Sequence, residues 1–298
     1  LHGTIYKDKK YIEEFNYKTK FRLLPAQFGI YGGEKILEFE EVGVSTKSMN
    51  FEEYLETRKF SFLVEMLYNS KIFREIEYFL EDYKLKYNKF VLFTYKQLKK
   101  SHPNIQEVIG SLINESVEEL KEDEKSLIKY YSKDENFEKV MCGKEGGNVK
   151  YNHKAMLLST HLNVWLDFVF DSLRNFLEIN NIKIDESFSE VTKFTKCKFD
   201  GVLDLNRTNI QINNSFNYDI INWLNQENRI KPLREFKNKD KIKMRFAYNK
   251  NQKIERDSLF SELKDMDAFS VRTVLERIRP QHKLYRKYEV VKDNISAT

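Results

Sequence analysis

Histidines and acidic residues with metal-binding potential are widely spaced in this sequence. His153 and His161 lie eight positions apart, about two turns apart if they share a helix. No His-Glu-x-x-His spacing accompanies them, and Asp167 falls on a different side of that helix from His161. Metal coordination needs ligands that converge on one point. We therefore predict no metal site and interpret these residues as internally paired polar groups.

Cysteine and serine side chains give no nucleophilic site. Cys142 precedes a glycine-rich stretch and Cys197 follows a lysine in a helical pattern, and neither position specifies the base and orienting group that a catalytic thiol needs. Ser45, Ser48 and Ser159 lack a Gly-x-Ser-x-Gly turn. We therefore predict no catalytic residue in this chain. Two distant thiols are typical of a reducing compartment, which predicts a cytoplasmic protein.

Arg22 is a stronger candidate for binding chemistry. It lies in an extended run between Phe21 and Leu23, and its planar guanidinium could bind a carboxylate or a phosphate group. It could equally pair with Glu38 or Glu40 across a hairpin. The sequence leaves both alternatives open.

The end of the chain is basic. From Arg229 to Thr298 there are 19 Lys and Arg residues against 10 Asp and Glu residues. We predict an anion-binding group within it, formed by Arg277, Arg279, Arg286 and Lys287. No RNA-recognition motif, zinc finger or helix-turn-helix pattern accompanies these residues, and a solvated lysine-rich tail is the simpler alternative.

Two extended runs are expected to position Arg22. They meet at Gly32-Gly33, a pair that supplies the positive φ angles of a tight hairpin turn. Imperfect alternation predicts a bulge near Pro25 or Gly43. From residue 50 to about 200 the apolar residues recur mainly with helical spacing, which predicts a helical middle.

Several local signals set the boundaries of these elements. We expect a capping box at Asn50-x-x-Glu53, a helix break at Asn69-Ser70, and a loop at 143–148. The other expected elements are helices starting at Pro103 and Asp185, one long helix containing Met156 to Leu177, strands at Thr208–Asn213 and Ile242–Tyr248, and helices at Tyr218–Leu224, Asp257–Lys264 and Ala268–Ile278.

The predicted fold class is α+β and predominantly α-helical. Only 4 Pro and 10 Gly among 298 residues argue against a turn-dense β sandwich, and no apolar run is long enough for a membrane span. We divide the chain into a barrel-like β element with the hairpin (1–46), a helical domain (47–204) and a small basic α/β tail (205–298).

Four segments near the start of the chain resemble, in order, one known family. They are Leu-His-Gly-Thr at 1–4, Thr-Lys-Phe-Arg-Leu-Leu-Pro-Ala-Gln-Phe-Gly-Ile-Tyr at 19–31, Glu-Phe-Glu-Glu-Val-Gly-Val-Ser-Thr at 38–46, and Met-Asn-Phe-Glu-Glu-Tyr-Leu-Glu-Thr-Arg at 49–58. The first 70 residues or so resemble the region that follows the radical SAM barrel in cobalamin-binding radical SAM proteins. The resemblance implies that Gly3, Thr4, Arg22, Gln27 and Tyr31 line a substrate cavity.

The same resemblance implies a longer enzyme that uses SAM, a [4Fe–4S] cluster and cobalamin, for methyl transfer or related radical chemistry. Three closely spaced cysteines hold such a cluster, whereas this chain has two that are far apart. We therefore expect a non-catalytic C-terminal region that covers the barrel or shapes its substrate cavity. Its partners would be the upstream radical SAM and cobalamin-binding domains of the same polypeptide, which predicts an exposed apolar surface around residues 1–46.

Two other classes of function stay open. One is a stand-alone helical interaction protein, and the other, a minor alternative, is a nucleic-acid-binding module that uses the basic tail. Assembly into a homo-oligomer is also open. The sequence does not identify a substrate.

Overall fold

A computed structural model describes residues 8–204, 207, 209–261, 268–277 and 284–291. The chain is mostly helical (57%), with an N-terminal two-stranded antiparallel hairpin and a small three-stranded antiparallel sheet near the C-terminus. The predicted α+β, predominantly helical class is therefore confirmed. The assignment of the hairpin to the end of a barrel and the three-domain division stay predictions.

The described residues form two compact units. The first unit contains residues 8–62 and 107–154, and the second contains residues 63–106 and the described residues from 155 onward. The helices are α1 (Lys9–Phe15), α2 (Phe51–Val64), α3 (Arg74–Asp82), α4 (Tyr87–Gln97), α5 (Pro103–Glu118), α6 (Glu124–Tyr131), α7 (Asp134–Met141), α8 (Val149–Ser159), α9 (Leu162–Ile179), α10 (Glu186–Phe199), α11 (Ile220–Leu224), α12 (Lys250–Ser261) and α13 (Ala268–Arg277). Within the described part of the chain, no helix has both the length and the hydropathy that a bilayer-spanning segment requires.

The strands form two separate antiparallel sheets. They are β1 (Lys18–Tyr31), β2 (Glu34–Ser45), β3 (Ile212–Tyr218), β4 (Lys237–Ala247) and β5 (Lys287–Val290). β1 pairs with β2 in the first unit, and the second unit holds the sheet with the order β3-β4-β5.

The hairpin turn and its irregularities agree with the sequence. Gly32 and Gly33 have φ angles of 60° and 88°, which is the geometry that a two-residue turn between twisted strands requires. The register shifts between Leu23 and Phe28, around Pro25, and again at Lys18/Thr19, where Thr19 faces Gly43. Both expected bulge positions are therefore irregular.

One face of the hairpin packs inside the first unit. Leu23 is buried with Leu127, Tyr131 and Val140 from α6 and α7. The partly buried residues that pack against this cluster are Phe21, Phe28, Leu37, Phe39 and Tyr130. Gly146 in the expected loop lies so close that a Cβ atom would stand 2.8 Å from the Phe28 ring. This loop therefore has a packing role.

Local capping signals also agree with the structure. The backbone N–H of Glu53 donates to Asn50 Oδ1 at 2.9 Å, and the N–H of Asn50 donates to Glu53 Oε2 at 2.8 Å. This reciprocal pair is the predicted capping box of α2. α5 begins at Pro103, and Asp185 caps α10, as expected.

The single long helix expected through residues 156–177 is wrong. α8 ends at Ser159 and α9 begins at Leu162. The Ser159 hydroxyl donates to the carbonyl of Ala155 at 2.7 Å, and His161 leaves the helical conformation with φ −119° and ψ 23°. The backbone N–H groups of Thr160 and His161 both donate to the carbonyl of Met156, so the chain leaves α8 at these two residues.

Elements of the basic tail are shifted from their expected positions. β3 begins at Ile212, four residues later than expected, and the strand β5 was not predicted. α12 begins at Lys250, seven residues early, because Asn249 and Gln252 form a reciprocal capping pair. The end of the expected helix, 262–264, lies outside the described residues.

Candidate functional site

Arg22 forms the cross-strand pair that one interpretation of the sequence predicts. Its Nε donates to Glu40 Oε1 at 2.8 Å, and its Nη1 donates to Glu119 Oε1 at 3.0 Å. Burial lowers the pKa of Arg22, but the charges of Glu119 and Glu40 outweigh it, so that the pKa is raised. The guanidinium is thus already engaged by two carboxylates inside the first unit.

The other predicted cavity residues are not gathered around Arg22. Gln27 lies exposed in the bulge of β1, and Tyr31 is exposed beside the hairpin turn. Gly3 and Thr4 lie outside the described residues. The proposed role of these residues in lining a substrate cavity stays a prediction.

The histidines that were weighed as metal ligands have separate surroundings. His153 is buried on α8, with Nδ1 2.8 Å from the carbonyl of Val149, whereas His161 precedes α9. The two histidines therefore lie on different elements. Over the ranges that the structure describes, no group of three or more His, Cys, Asp or Glu residues could hold a metal ion.

The cysteines do not fit an iron–sulfur cluster. A radical SAM cluster needs three thiolates, and this chain has an exposed Cys142 and a buried Cys197. Burial raises the pKa of the Cys197 thiol, so this sulfur is a poor thiolate ligand. No chemistry of a cluster is therefore assigned to residues of this chain.

The second unit contains a cleft of about 640 Å³ that is lined mainly by charged and tyrosine residues. We call it the cleft throughout. Its lining comes from the start of α3, from α10, from the residues after α11 and from β5 with the residues before it. The lining residues are Lys71, Arg74, Glu75, Glu77, Tyr78, Lys198, Leu224, Asn225, Tyr285, Arg286, Lys287 and Tyr288.

A buried ion pair joins α3 to α10 in the wall of the cleft. Lys198 Nζ lies 2.7 Å from each carboxylate oxygen of Glu75 and 2.8 Å from the carbonyl of Ile72. Thr195 Oγ1 lies 2.7 Å from Glu75 Oε1. Glu75 and Lys198 are both almost completely buried. The three donors of the ammonium group are thus fully used.

This arrangement fits a structural pair better than a catalytic lysine. Burial lowers the pKa of Lys198, and Glu75 opposes that shift. A nucleophilic lysine needs a free lone pair directed at a substrate, whereas the Lys198 ammonium is surrounded by acceptors. The pair therefore fixes the position of α3 against α10.

The residues before β5 complete the wall. The backbone N–H of Arg286 donates to the carbonyl of Lys198 at 3.2 Å, and the Arg286 side chain is fully buried. Its Nε and Nη2 donate to the carbonyls of Ile210 and Arg207. Its Nη1 has no hydrogen-bond partner among the described residues.

The structure separates the four predicted anion-binding residues. Arg286 and Lys287 line the cleft. Arg277 is exposed at the end of α13, and Arg279 lies outside the described residues. Lys71 and Arg74, which also line the cleft, were missed by the sequence analysis.

A sequence signal for the buried pair does exist. Phe188, Val191, Thr195 and Lys198 recur at spacings of three and four, so the two polar residues share the apolar face of α10. A lysine on such a face needs a buried partner. The identity of that partner, Glu75, is not visible in the sequence because 123 positions separate the two residues.

Comparison with known proteins gave no assignment. No model of a known protein family matches this sequence, and no curated protein matches it either.

Proposed function

We propose that this chain is a C-terminal accessory region of a cobalamin-dependent radical SAM enzyme. It would follow the barrel, cover the barrel or shape the substrate cavity, and not be catalytic by itself. The complete enzyme would use SAM, a [4Fe–4S] cluster and cobalamin for methyl transfer or related radical chemistry. Those groups would be held by upstream domains of the same polypeptide.

The exposed apolar end of the hairpin carries this proposal. Ile30, Tyr31 and Ile36, which we call the hairpin tip, are 58%, 67% and 44% exposed. Large apolar side chains grouped at one end of a β element are typical of a surface that packs against another domain. Ile30 and Tyr31 lie within one of the segments that resemble the radical SAM family, and Ile36 lies two residues before the next such segment, which is where a contact with the barrel is expected.

The hairpin tip has apolar groups on both faces of the two-stranded sheet. Ile36 is paired with Gly29, and the Tyr31 ring lies over Gly29 on that face, whereas the neighbouring Ile30 points to the other face. A partner domain would therefore contact both sides of the turn. The remainder of the hairpin is held inside the first unit by Leu23 and Arg22.

The proposal is tested by sequencing the gene upstream of Leu1. We expect a continuous reading frame that encodes Cys-x-x-x-Cys-x-x-Cys, since this spacing holds the cluster of a radical SAM enzyme. A stop codon followed by a start codon beside Leu1 would refute the proposal. It would leave a stand-alone helical protein whose hairpin tip binds a separate partner.

A further inference from the structure

The cleft carries more positive than negative charge. Five cationic side chains and two acidic ones line it, which leaves an excess of three positive charges. Glu75 and Lys198 neutralise each other. The remaining acidic residue is Glu77, which is half-buried.

Three of the cations are available to a ligand. Lys71, Arg74 and Lys287 are exposed, and none of them has an ion-pair partner among the residues that the structure describes. Arg74 donates a hydrogen bond to the Tyr78 hydroxyl at 2.6 Å and stacks on that ring. Lys71 lies over the Tyr68 ring. Such cations bind an anion without first breaking a salt bridge.

The start of α3 adds to the positive electrostatic field of the cleft. α3 has nine residues, and its N-cap residue Phe73 provides no side-chain hydrogen bond. The first backbone N–H groups of a helix lack internal partners and favour a negative charge nearby. Arg74 and Glu75, the first two residues of α3, line the cleft.

Arg286 places a further, buried positive charge beside the cleft. Its guanidinium is fully buried, lies near no carboxylate within ion-pair distance among the described residues, and keeps Nη1 without a partner. The guanidinium faces the carbonyls of Ile210 and Arg207 and stacks on the Tyr248 ring, none of which lines the cleft, so Arg286 adds positive charge beside the cleft without contacting a ligand there.

We propose that the cleft binds a phosphorylated small molecule, with Lys71, Arg74 and Lys287 around the phosphate group. This inference goes beyond the accessory role proposed above and does not depend on it. The volume of about 640 Å³ is in the usual range for small-molecule sites. Tyr78, Tyr285 and Tyr288 would donate hydroxyl hydrogen bonds to the ligand, because a tyrosine hydroxyl carries its proton at neutral pH.

Charge favours a phosphate over a carboxylate. A phosphate monoester carries a charge of about −1.5 to −2 near neutral pH, and it accepts hydrogen bonds through three oxygens. Three separate cations and an uncapped helix start match that charge and that number of acceptors. A single carboxylate would leave more of the positive charge uncompensated.

The test is calorimetric titration of the full chain with inorganic phosphate, at an ionic strength held constant with sodium chloride. We expect saturable binding of phosphate by the wild type. Arg74→Gln and Lys287→Gln should each weaken the affinity about tenfold, because each removes one charge-assisted contact. Glu77→Gln should tighten binding because it removes the opposing charge. Arg234→Gln and Lys96→Gln, which change exposed cations of the second unit outside the cleft, should leave binding unchanged.

Three results would overturn the proposal. One is the absence of saturable phosphate binding at constant ionic strength. Another is equal binding by wild type, Arg74→Gln and Lys287→Gln, which would indicate a site elsewhere. The third is a cleft that binds a single-stranded RNA oligomer, with loss in the same variants, but does not bind inorganic phosphate. That result would indicate a nucleic-acid surface in place of a small-molecule site.

Discussion

The carboxylate of Asp82 is held in the second unit by three donors. Trp223 Nε1 lies 3.0 Å from Oδ2, the backbone N–H of Leu233 lies 2.7 Å from the same atom, and Arg229 Nη2 lies 3.3 Å from Oδ1. Burial raises the pKa of Asp82 from 3.8 to about 6, against the opposing effects of Leu233, Arg229 and Trp223. Asp82 thereby links the end of α3 to the segment around α11.

The raised pKa predicts a pH dependence of stability. Between pH 3.8 and about 6 the folded protein retains a proton on Asp82 that the unfolded chain releases. The free energy of unfolding contributed by this group therefore falls as the pH rises through that window. We expect a loss on the order of 1 kcal/mol after a discount for solvent screening. In Asp82→Asn this contribution should be absent.

The measurement is urea unfolding of wild type and Asp82→Asn at several pH values from 4 to 7. The exposed Asp171→Asn is a matched control, and it should retain the wild-type pH dependence. A stability difference between wild type and Asp82→Asn that does not change with pH would contradict the assignment.

At the scale of elements, Glu119 joins the hairpin to two helices. Its Oε1 accepts from Arg22 of β1 at 3.0 Å and from Arg58 of α2 at 2.7 Å, and Glu119 directly follows α5. Arg58 Nε also donates to the Ser116 hydroxyl on α5. One carboxylate thus accepts hydrogen bonds from two guanidinium groups within the first unit.

Glu119→Gln should destabilise the first unit by about 1–3 kcal/mol, since it leaves two partly buried arginines with less compensation. Chemical unfolding measures this loss. Glu107→Gln, which changes an exposed residue of α5, should stay within about 0.5 kcal/mol of wild type. If Glu119→Gln were as stable as wild type, Glu119 would not hold the hairpin.

The sequence predicts elements well where their signals are local. The Gly32-Gly33 turn, the Asn50 capping box and the helix start at Pro103 each depend on a few neighbouring residues, and all three are confirmed. β5 was missed because a four-residue strand is defined by its pairing with β4, whose partner residues lie 40 to 46 positions earlier. The helix break after Ser159 was missed because it lies within a strong apolar pattern and no glycine or proline marks it.

At the scale of the whole molecule, the hairpin and the cleft support separate claims. The hairpin tip and the family-like segments support an accessory region of a radical SAM enzyme. The cleft belongs to the second unit and depends on its own charges and burial. A failure of phosphate binding would therefore not contradict the accessory role. Likewise, a failure of the accessory role would not contradict phosphate binding in the cleft.

The cleft was only partly predictable. Arg286 and Lys287 stand out in a basic tail, but Lys71 and Arg74 resemble the solvated charges of any helix start. Only the fold brings the start of α3 beside β5. The pairing of Glu75 with Lys198 likewise requires contacts between distant parts of the chain.

The most direct test of the proposed function is a cofactor analysis of the polypeptide encoded by the complete reading frame. It would be purified without oxygen after expression with iron and cobalamin supplied, and the isolated chain would be analysed in parallel. We predict about four irons per polypeptide, together with bound cobalamin and SAM cleavage on reduction, whereas the isolated chain should show none of these. A complete polypeptide that binds neither iron nor cobalamin would contradict the account.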